Sequence, residues 1–391
     1  MPTIVSRQPR RQPTRSRARN ARESPPFSRP GNGQAGATLK LVSACMLTKL
    51  ELTMSRIDLT ALTTWITAAA TAHPRQLPEK LAELTGVQRN TAVRRLRQLI
   101  NLQWLTRTGS GRDARYAPGA LRQIVRHYAL DGLGEDLPWS RDFAPYFTLP
   151  PNVLRLTQHA FCELLNNAID HSDGTGATIS LRQTPSHVQL LVSDDGCGVF
   201  DKICHTFALE DPQIAMLELS KGKLTTQPER HTGHGLYFTS RLADVFDLHA
   251  NEHAFQHRSW EGTGWRSGSP MNRQGTSVYV SIALDTPRTL ESVMNRHSLD
   301  GAGVHFERTA VPLQLAVTSQ AGLESRAQAR LVAARLTRFR LAELDFSGIP
   351  HIGHSFADEL FRVLPRHQPA LNLSPINMNR AVAAMVGSVV P

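Results

Sequence analysis

Long apolar runs are missing from this 391-residue sequence. No stretch of about 18 apolar residues could cross a bilayer, so no membrane segment is expected. Cysteine is scarce: Cys45, Cys162, Cys197 and Cys204 show no CxxC spacing and no clustered histidine. That argues against a disulfide framework and against structural zinc, and it fits a reducing cytoplasm. Acidic side chains are in deficit, 33 against 44 Lys and Arg, for a net charge of +11. The imbalance is local, because residues 1–53 hold ten basic and two acidic side chains and so carry +8 of it.

What remains has the composition of a soluble globular protein, 40% apolar and 20% charged, with length for two or three domains. Five segments are expected: a basic tail (1–53), a first folded block (55–118), a partly helical connector around LRQIVRHYAL (119–149), a central block (150–285) and a C-terminal block (300–391). No internal repeat is present. The tail RQPRRQPTRSRARNARESPPFSRPGNG has no hydrophobic periodicity and reads as disordered. It is compatible with a DNA-contacting arm, an export signal without a secretory apolar core, or a start misplaced upstream of Met54.

In the first block, Pro78 suits the first turn of a helix that Gly86 ends. The next helix buries Val93, Leu96, Leu99 and Ile100, leaving Arg89, Arg94, Arg95 and Arg97 on other faces. WLTRTGSGRDARYAP then reads as a hairpin tipped by Arg107, Arg112 and Arg115. This order resembles the winged helix-turn-helix domains of bacterial transcription regulators. The resemblance implies DNA contact through the third helix and the wing, with Arg89, Arg94, Arg95, Arg97 and Arg112 as candidates. The alternative is a winged helix used only for protein contacts, with its arginines a solvated face.

FCELLNNAIDHSDG poses a different problem. Glu163, Asn167 and His171, four residues apart, form one stripe of a helix whose buried side is Phe161, Leu164, Leu165, Ala168 and Ile169. A polar group buried without a partner costs roughly 1–3 kcal/mol, so this stripe faces either water or a ligand. Three further stretches follow at spacings of about 30, 40 and 40 residues. VQLLVSDDGCGVF is a strand running into an Asp-rich glycine turn. HTGHGLYFTSRLADVF places glycines at a helix start, where free N–H groups bind phosphate. QGTSVYVSIAL is a strand opened by Gly275 and Thr276.

Together these stretches resemble the GHKL ATP-binding domain shared by histidine kinases, anti-sigma-factor serine kinases, type II topoisomerases, mismatch-repair ATPases and heat-shock chaperones. The resemblance covers roughly residues 150–285. It implies an α/β sandwich with a mixed sheet covered by helices on one face, binding ATP and Mg²⁺. ELLNNAIDH resembles the N box, which makes Glu163 the candidate general base and Asn167 the Mg²⁺ ligand. DDGCGV resembles the first glycine box, with Asp194 accepting from the adenine amine and Gly196 and Gly198 letting the base approach. GHGLY resembles the second, placing Gly233, His234, Gly235 and Leu236 around the phosphates. Thr276 corresponds to a threonine that supports the adenine-binding Asp through water. Residues 199–232 would be the ATP lid, with Lys221 or Lys223 meeting the phosphates. His127 and His159 lack the context of a phosphoacceptor histidine.

The C-terminal block alternates strand and helix, as in a small α/β sheet domain. LDFSGIPHIGHSFADEL resembles the STAS-like domains attached to some GHKL proteins. In the related anti-sigma-factor antagonists a serine at a helix start is phosphorylated. Ser355 falls at that place, although Phe356 stands where a small residue is expected; a helix cap is the plainer role. The expected fold class is therefore α+β, a GHKL sandwich flanked by a mainly helical winged helix and a small α/β STAS-like domain. The expected function is a cytoplasmic bacterial regulator that couples Mg-ATP to DNA or protein-partner binding, with a homodimer among the arrangements open to it. The alternative is an anti-sigma-factor-like serine kinase acting on a STAS-type partner; a chaperone-like ATPase would need a long middle domain that is not seen.

Overall fold

The structure is a computed structural model describing residues 59–229, 232–260, 265–303, 305–317 and 322–390. The basic tail and Met54 lie outside the described residues. Helices α1 (Leu59–Ala72), α2 (Leu77–Thr85) and α3 (Arg89–Asn101) precede a hairpin of β1 (Leu105–Thr108) and β2 (Arg115–Pro118). Pro78 occupies the first turn of α2, and Gly86 ends it at φ 68, a left-handed cap that glycine adopts without a Cβ penalty. Ala92, Leu96 and Leu99 of α3 pack with Ile66, Leu77, Leu81 and Trp104 in a core separate from the rest of the chain.

The central block begins one strand earlier than the sequence suggests, at β3 (Arg122–Ala129). It continues through α4 (Pro151–His171), β4 (Gly176–Gln183), β5 (His187–Asp194), α5 (Val199–Phe207), α6 (Pro212–Lys221) and α7 (Gly235–Leu242). Strands β6 (Val245–Asn251), β7 (His253–Arg258), β8 (Trp265–Ser267) and β9 (Arg273–Ala283) complete it. The seven strands form one sheet in the order β3-β4-β5-β9-β6-β7-β8. The expected mixed sheet is antiparallel at every pairing. Helix α4 covers the middle of the sheet, with Phe161 fully buried between Trp139 and Phe143, ring centroids 5.2 and 5.1 Å away. Burying such a side chain contributes roughly 1.5–3 kcal/mol.

LRQIVRHYAL is thus an edge strand, not a helical connector. Leu121, Ile124, Val125 and Tyr128 fall at helical spacing, which accounts for the expectation. The free edge of β4 decides otherwise, pairing with β3 from Arg122↔Gln183 to Ala129↔Gly176. The same strand seats the three-helix region, since the N–H of Gln123 donates to the α1 hydroxyl of Thr67 at 3.1 Å. Arg182 of β4 also lies 5.7 Å from the ring of Trp104.

Helix α8 (Leu290–Asn295), opened by a Thr289–Ser292 capping box, leads to the C-terminal block. There β10 (Arg308–Pro312), β11 (Leu341–Asp345) and β12 (Asn372–Ile376) form a parallel sheet. It is flanked by α9 (Arg326–Ala333), α10 (His354–Asp358), α11 (Leu364–His367) and α12 (Arg380–Val389). Ser355 does not cap its helix: the N-cap of α10 is Gly353, and Ser355 is the second helical residue, exposed. One hydrophobic core runs without a break from Ile124 in the large sheet to Val389 in the last helix.

Candidate functional site

A cavity of about 270 Å³ opens between α4, the ends of β5 and β9, and the segment joining α5 to α7. The polar stripe of α4 faces it: Glu163, Asn167 and His171 line the wall together with Asn166, Leu164 and Ala168, while Phe161 and Leu165 are buried behind them. The amphipathic helix therefore has one face packed in the core and a half-buried polar face turned to the cavity. The Nδ2 of Asn167 is buried and has no hydrogen-bond partner. Burial, with the nearby Glu135 carboxylate adding to it, raises the Glu163 carboxyl above the ordinary carboxylate range. His159, one turn earlier, brings Nδ1 to 4.0 Å from Glu163 Oε1, and burial lowers its own pKa.

Asp194, at the end of β5, is 6% exposed and lines the opposite wall. Its Oδ1 accepts from the N–H of Gly196 (3.0 Å) and of Thr276 (2.9 Å). Burial raises its carboxyl, outweighing those two N–H groups and the cation of Arg273, which lower it. Thr276 therefore reaches the aspartate directly through its backbone, and its hydroxyl accepts the N–H of Val199 at the start of α5 (3.0 Å). Gly196 and Gly198 do not line the cavity, contrary to the expectation that they make room for a base. A Cβ on Gly196 would overlap the Ser172 carbonyl, and one on Gly198, at φ 88, would lie 2.5 Å from Asn251 Nδ2. They are glycines because neighbouring chain crosses them closely.

Gly233, His234, Gly235 and Leu236 all line the other end of the cavity. Gly233, at φ 70, turns the chain into α7, which no side chain caps. A Cβ on Gly235 would lie 2.1 Å from Glu163 Oε2, so any larger residue at this helix start would displace the Glu163 carboxylate. Burial, helped by Lys223, lowers the His234 imidazole to about 4 and keeps it neutral. Among the described lining residues the one formal cation is Lys202, and it is ion-paired with Asp173.

Lys202, Thr225, Thr226 and Thr232 line the cavity without having been singled out in the sequence. Only the Thr-Thr pair ahead of the glycine box hinted at a hydroxyl-lined wall. Thr226 hydrogen-bonds His171 Nδ1 at 3.1 Å, and Gln227 Nε2 donates to the Asp170 carbonyl at 2.7 Å, tying this wall to the end of α4. Lys221 and Lys223 line no part of the cavity. Lys221 is 1% exposed and turned into the C-terminal block, and Lys223 Nζ donates to the Arg338 carbonyl at 2.7 Å. A sequence motif places a lysine on a loop but not the face of the loop it takes.

Of the candidate arginines of the first block, Arg89, Arg94, Arg97, Arg107, Arg112 and Arg115 are all exposed. Arg89 is committed to Glu79 at 2.6 Å, and Arg95 is half-buried, bonded to Gln98 at 2.9 Å. Among the described residues no helix is long and apolar enough to cross a membrane, and no cluster of three or more His, Cys, Asp or Glu could hold a metal ion by itself.

Two family models match the chain. One, for histidine kinase-, DNA gyrase B-, and HSP90-like ATPases, matches residues 152–286. The other, a STAS-like domain of unknown function, matches residues 328–383. Neither reaches the three-helix region, and no curated protein matches the chain. The cavity and all of its described lining residues fall inside the first match, so the chain carries a GHKL-type ATPase domain followed by a STAS-like domain.

Proposed function

We propose that the cavity binds ATP with Mg²⁺, and that this chain is a regulator in which nucleotide binding alters contacts made by its flanking domains. The observation that carries this reading is Asp194. Its Oδ1 is held by two backbone N–H groups, which leaves the other oxygen as an acceptor for the exocyclic amine of adenine. The orphaned amide edge of Asn167 fits the second component. A half-turn of a carboxamide exchanges its oxygen and nitrogen, so Asn167 can offer Mg²⁺ one oxygen while waters and phosphates supply the rest. When bound, the metal would neutralise phosphate charge, a role the paired Lys202 and the neutral His234 cannot fill alone. Gly235 and Leu236 N–H groups at the start of α7 would hold phosphate oxygens. Glu163, on the cavity wall with its carboxyl raised by burial above the ordinary range, has the character of a general base for an attacking water or hydroxyl.

DNA is the proposed partner of the three-helix region, through exposed Arg94 and Arg97 of α3 and Arg112 of the hairpin. Arg89 and Arg95 are secondary there because other side chains already hold them. The STAS-like domain is the proposed site for a protein partner. A serine-kinase reading has one specific support, that Ser355 is exposed and free of a capping role.

The deciding measurement is ATP binding and phosphate release by the wild type and by Glu163→Gln, with γ-labelled nucleotide. Binding by both, with release lost in the variant by about 10²–10⁴-fold, supports the ATPase reading. Label retained on Ser355 supports the kinase. Absence of nucleotide binding by the wild type overturns both.

A further inference from the structure

The segment between the two glycine boxes has a second side. Toward the cavity it presents Val199, Lys202, Leu224 and Thr226. Away from it, α6 ends in Lys221, whose ammonium is 2.7 Å from Glu218 Oε1 and donates to the carbonyls of Ala334 (2.9 Å) and Leu331 (3.3 Å). All three ammonium donors are thus used, two of them by the C-terminal block, which is what a buried lysine requires. Arg335 completes the cluster, with Nη1 3.2 Å from Glu218 Oε2 and its guanidinium 4.1 Å from the ring of Phe207 in α5.

Further bonds continue along the same edge. The Thr309 hydroxyl donates to the Lys221 carbonyl at 2.6 Å, and Gln213 Nε2 to the Val317 carbonyl at 2.8 Å. Lys223 and Arg338 each donate to the other's carbonyl at 2.7 Å. Phe306, just ahead of β10, reaches the opposite wall. Its ring lies 5.0 Å from His234, 4.7 Å from Tyr237 and 5.2 Å from Phe339. A Cβ on Gly222 would lie 2.6 Å from it. The C-terminal block therefore grips both chain segments that flank the phosphate end, though it contributes no residue to the cavity itself.

We propose that the STAS-like domain is the anchor of the nucleotide lid, so that nucleotide occupancy and the placement of that domain form one equilibrium. Leu224, Thr225 and Thr226 follow the Lys221–Lys223 attachment by one to five residues and line the cavity. They cannot close on a ligand without loading that attachment. By linkage, a partner that shifts the STAS-like domain changes nucleotide affinity, and nucleotide changes partner affinity by the same factor. This proposal rests on the ATP reading above.

The test is hydrogen exchange of the full chain with and without Mg²⁺ and a non-hydrolysable ATP analogue, alongside analogue affinity. Wild type and Arg335→Ala are compared, and Lys221→Met serves as a second variant. The expected result is slowed exchange in 212–229 and also in 308–345 on adding the analogue. Arg335→Ala, remote from the cavity lining, should speed exchange of 212–229 without nucleotide and weaken the analogue about fivefold or more. Unchanged exchange in β4, β5 and β9 shows that the fold is retained; where Arg335→Ala disturbs those strands, Lys221→Met takes its place. Protection confined to 199–229, or analogue affinity unchanged in both variants, overturns the coupling while leaving the ATP reading intact. No analogue binding by wild type overturns the ATP reading and the coupling with it.

Discussion

Replacing Asp194 by Asn separates what this carboxylate does for the fold from what it does for a ligand. Oδ1 accepts from Gly196 and Thr276 at 3.0 and 2.9 Å, and an amide oxygen in its place can still accept both bonds, though without the charge of a carboxylate. Burial already raises the Asp194 carboxyl, so the folded chain disfavours its charge. A neutral amide of the same shape therefore leaves stability within about 1 kcal/mol of wild type. The whole change falls on the second atom, where an acceptor becomes a donor facing the donor of the adenine amine.

The binding cost has two parts. A hydrogen bond to a charged acceptor, worth about 1.5–3 kcal/mol, is lost, and a buried donor is left unpaired at about 1–3 kcal/mol. At about 1.4 kcal/mol per decade, the sum of about 2.5–6 kcal/mol weakens binding by at least about 60-fold. Calorimetric titration with Mg²⁺ and a non-hydrolysable ATP analogue reads the affinity, and thermal unfolding without nucleotide reads the fold. A Kd within threefold of wild type, with the unfolding midpoint unmoved, would refute the assignment of Asp194 to the base.

Three other outcomes follow from the same geometry. Gly196→Ala should lose about 1–3 kcal/mol of stability in urea unfolding, because its Cβ meets the Ser172 carbonyl, which already accepts the N–H of Cys197. An unaltered urea midpoint would mean that this crossing relaxes freely. Acid should destabilise the chain: burial, with nearby arginines, lowers His257 to about 3 and His297 to about 4 from 6.5. Their stabilising contribution is full above pH 6.5 and is lost as pH falls toward the folded values, by about 2 kcal/mol each between pH 7 and pH 5. A urea midpoint equal at the two pH values contradicts it. If the three-helix region binds DNA, Arg94→Ala, Arg97→Ala and Arg112→Ala should each lower the slope of log affinity against log salt by about 1. Arg89→Ala should do less, since Glu79 already neutralises that guanidinium; equal effects from all four would remove the distinction.

The site was legible where chemistry is local in sequence. The α4 stripe needs only the 3.6-residue repeat, which singles out Glu163, Asn167 and His171, all of them at the cavity; Asn166, which also lines it, lies off that stripe. The reasons behind the glycines were not legible. Gly196 and Gly198 are explained by Ser172 and Asn251, which lie 24 and 53 residues away in sequence. β3 misled for a related reason: Leu121, Ile124, Val125 and Tyr128 satisfy a helix as well as a strand, and the choice was made by the β4 edge. Propensity sets a weak preference there, and non-local pairing overrides it.

The two lysines show where reading by segments breaks down. Composition cuts the chain after the β9 strand, and the ATPase match also stops at residue 286. The hydrophobic core does not stop there, and neither do the ties of the lid. A chain ended at that cut would keep every described cavity residue yet leave Lys221 without the carbonyls of Leu331 and Ala334 and Glu218 without Arg335. A buried ammonium deprived of two of its three acceptors must either lose its proton or reach water, and either path moves the residues that next line the cavity. The three-helix region differs, since its core closes on itself and it joins the sheet through β3, Thr67 and Trp104. The ATPase and STAS-like domains therefore share one hydrophobic core, which a cut after β9 would divide.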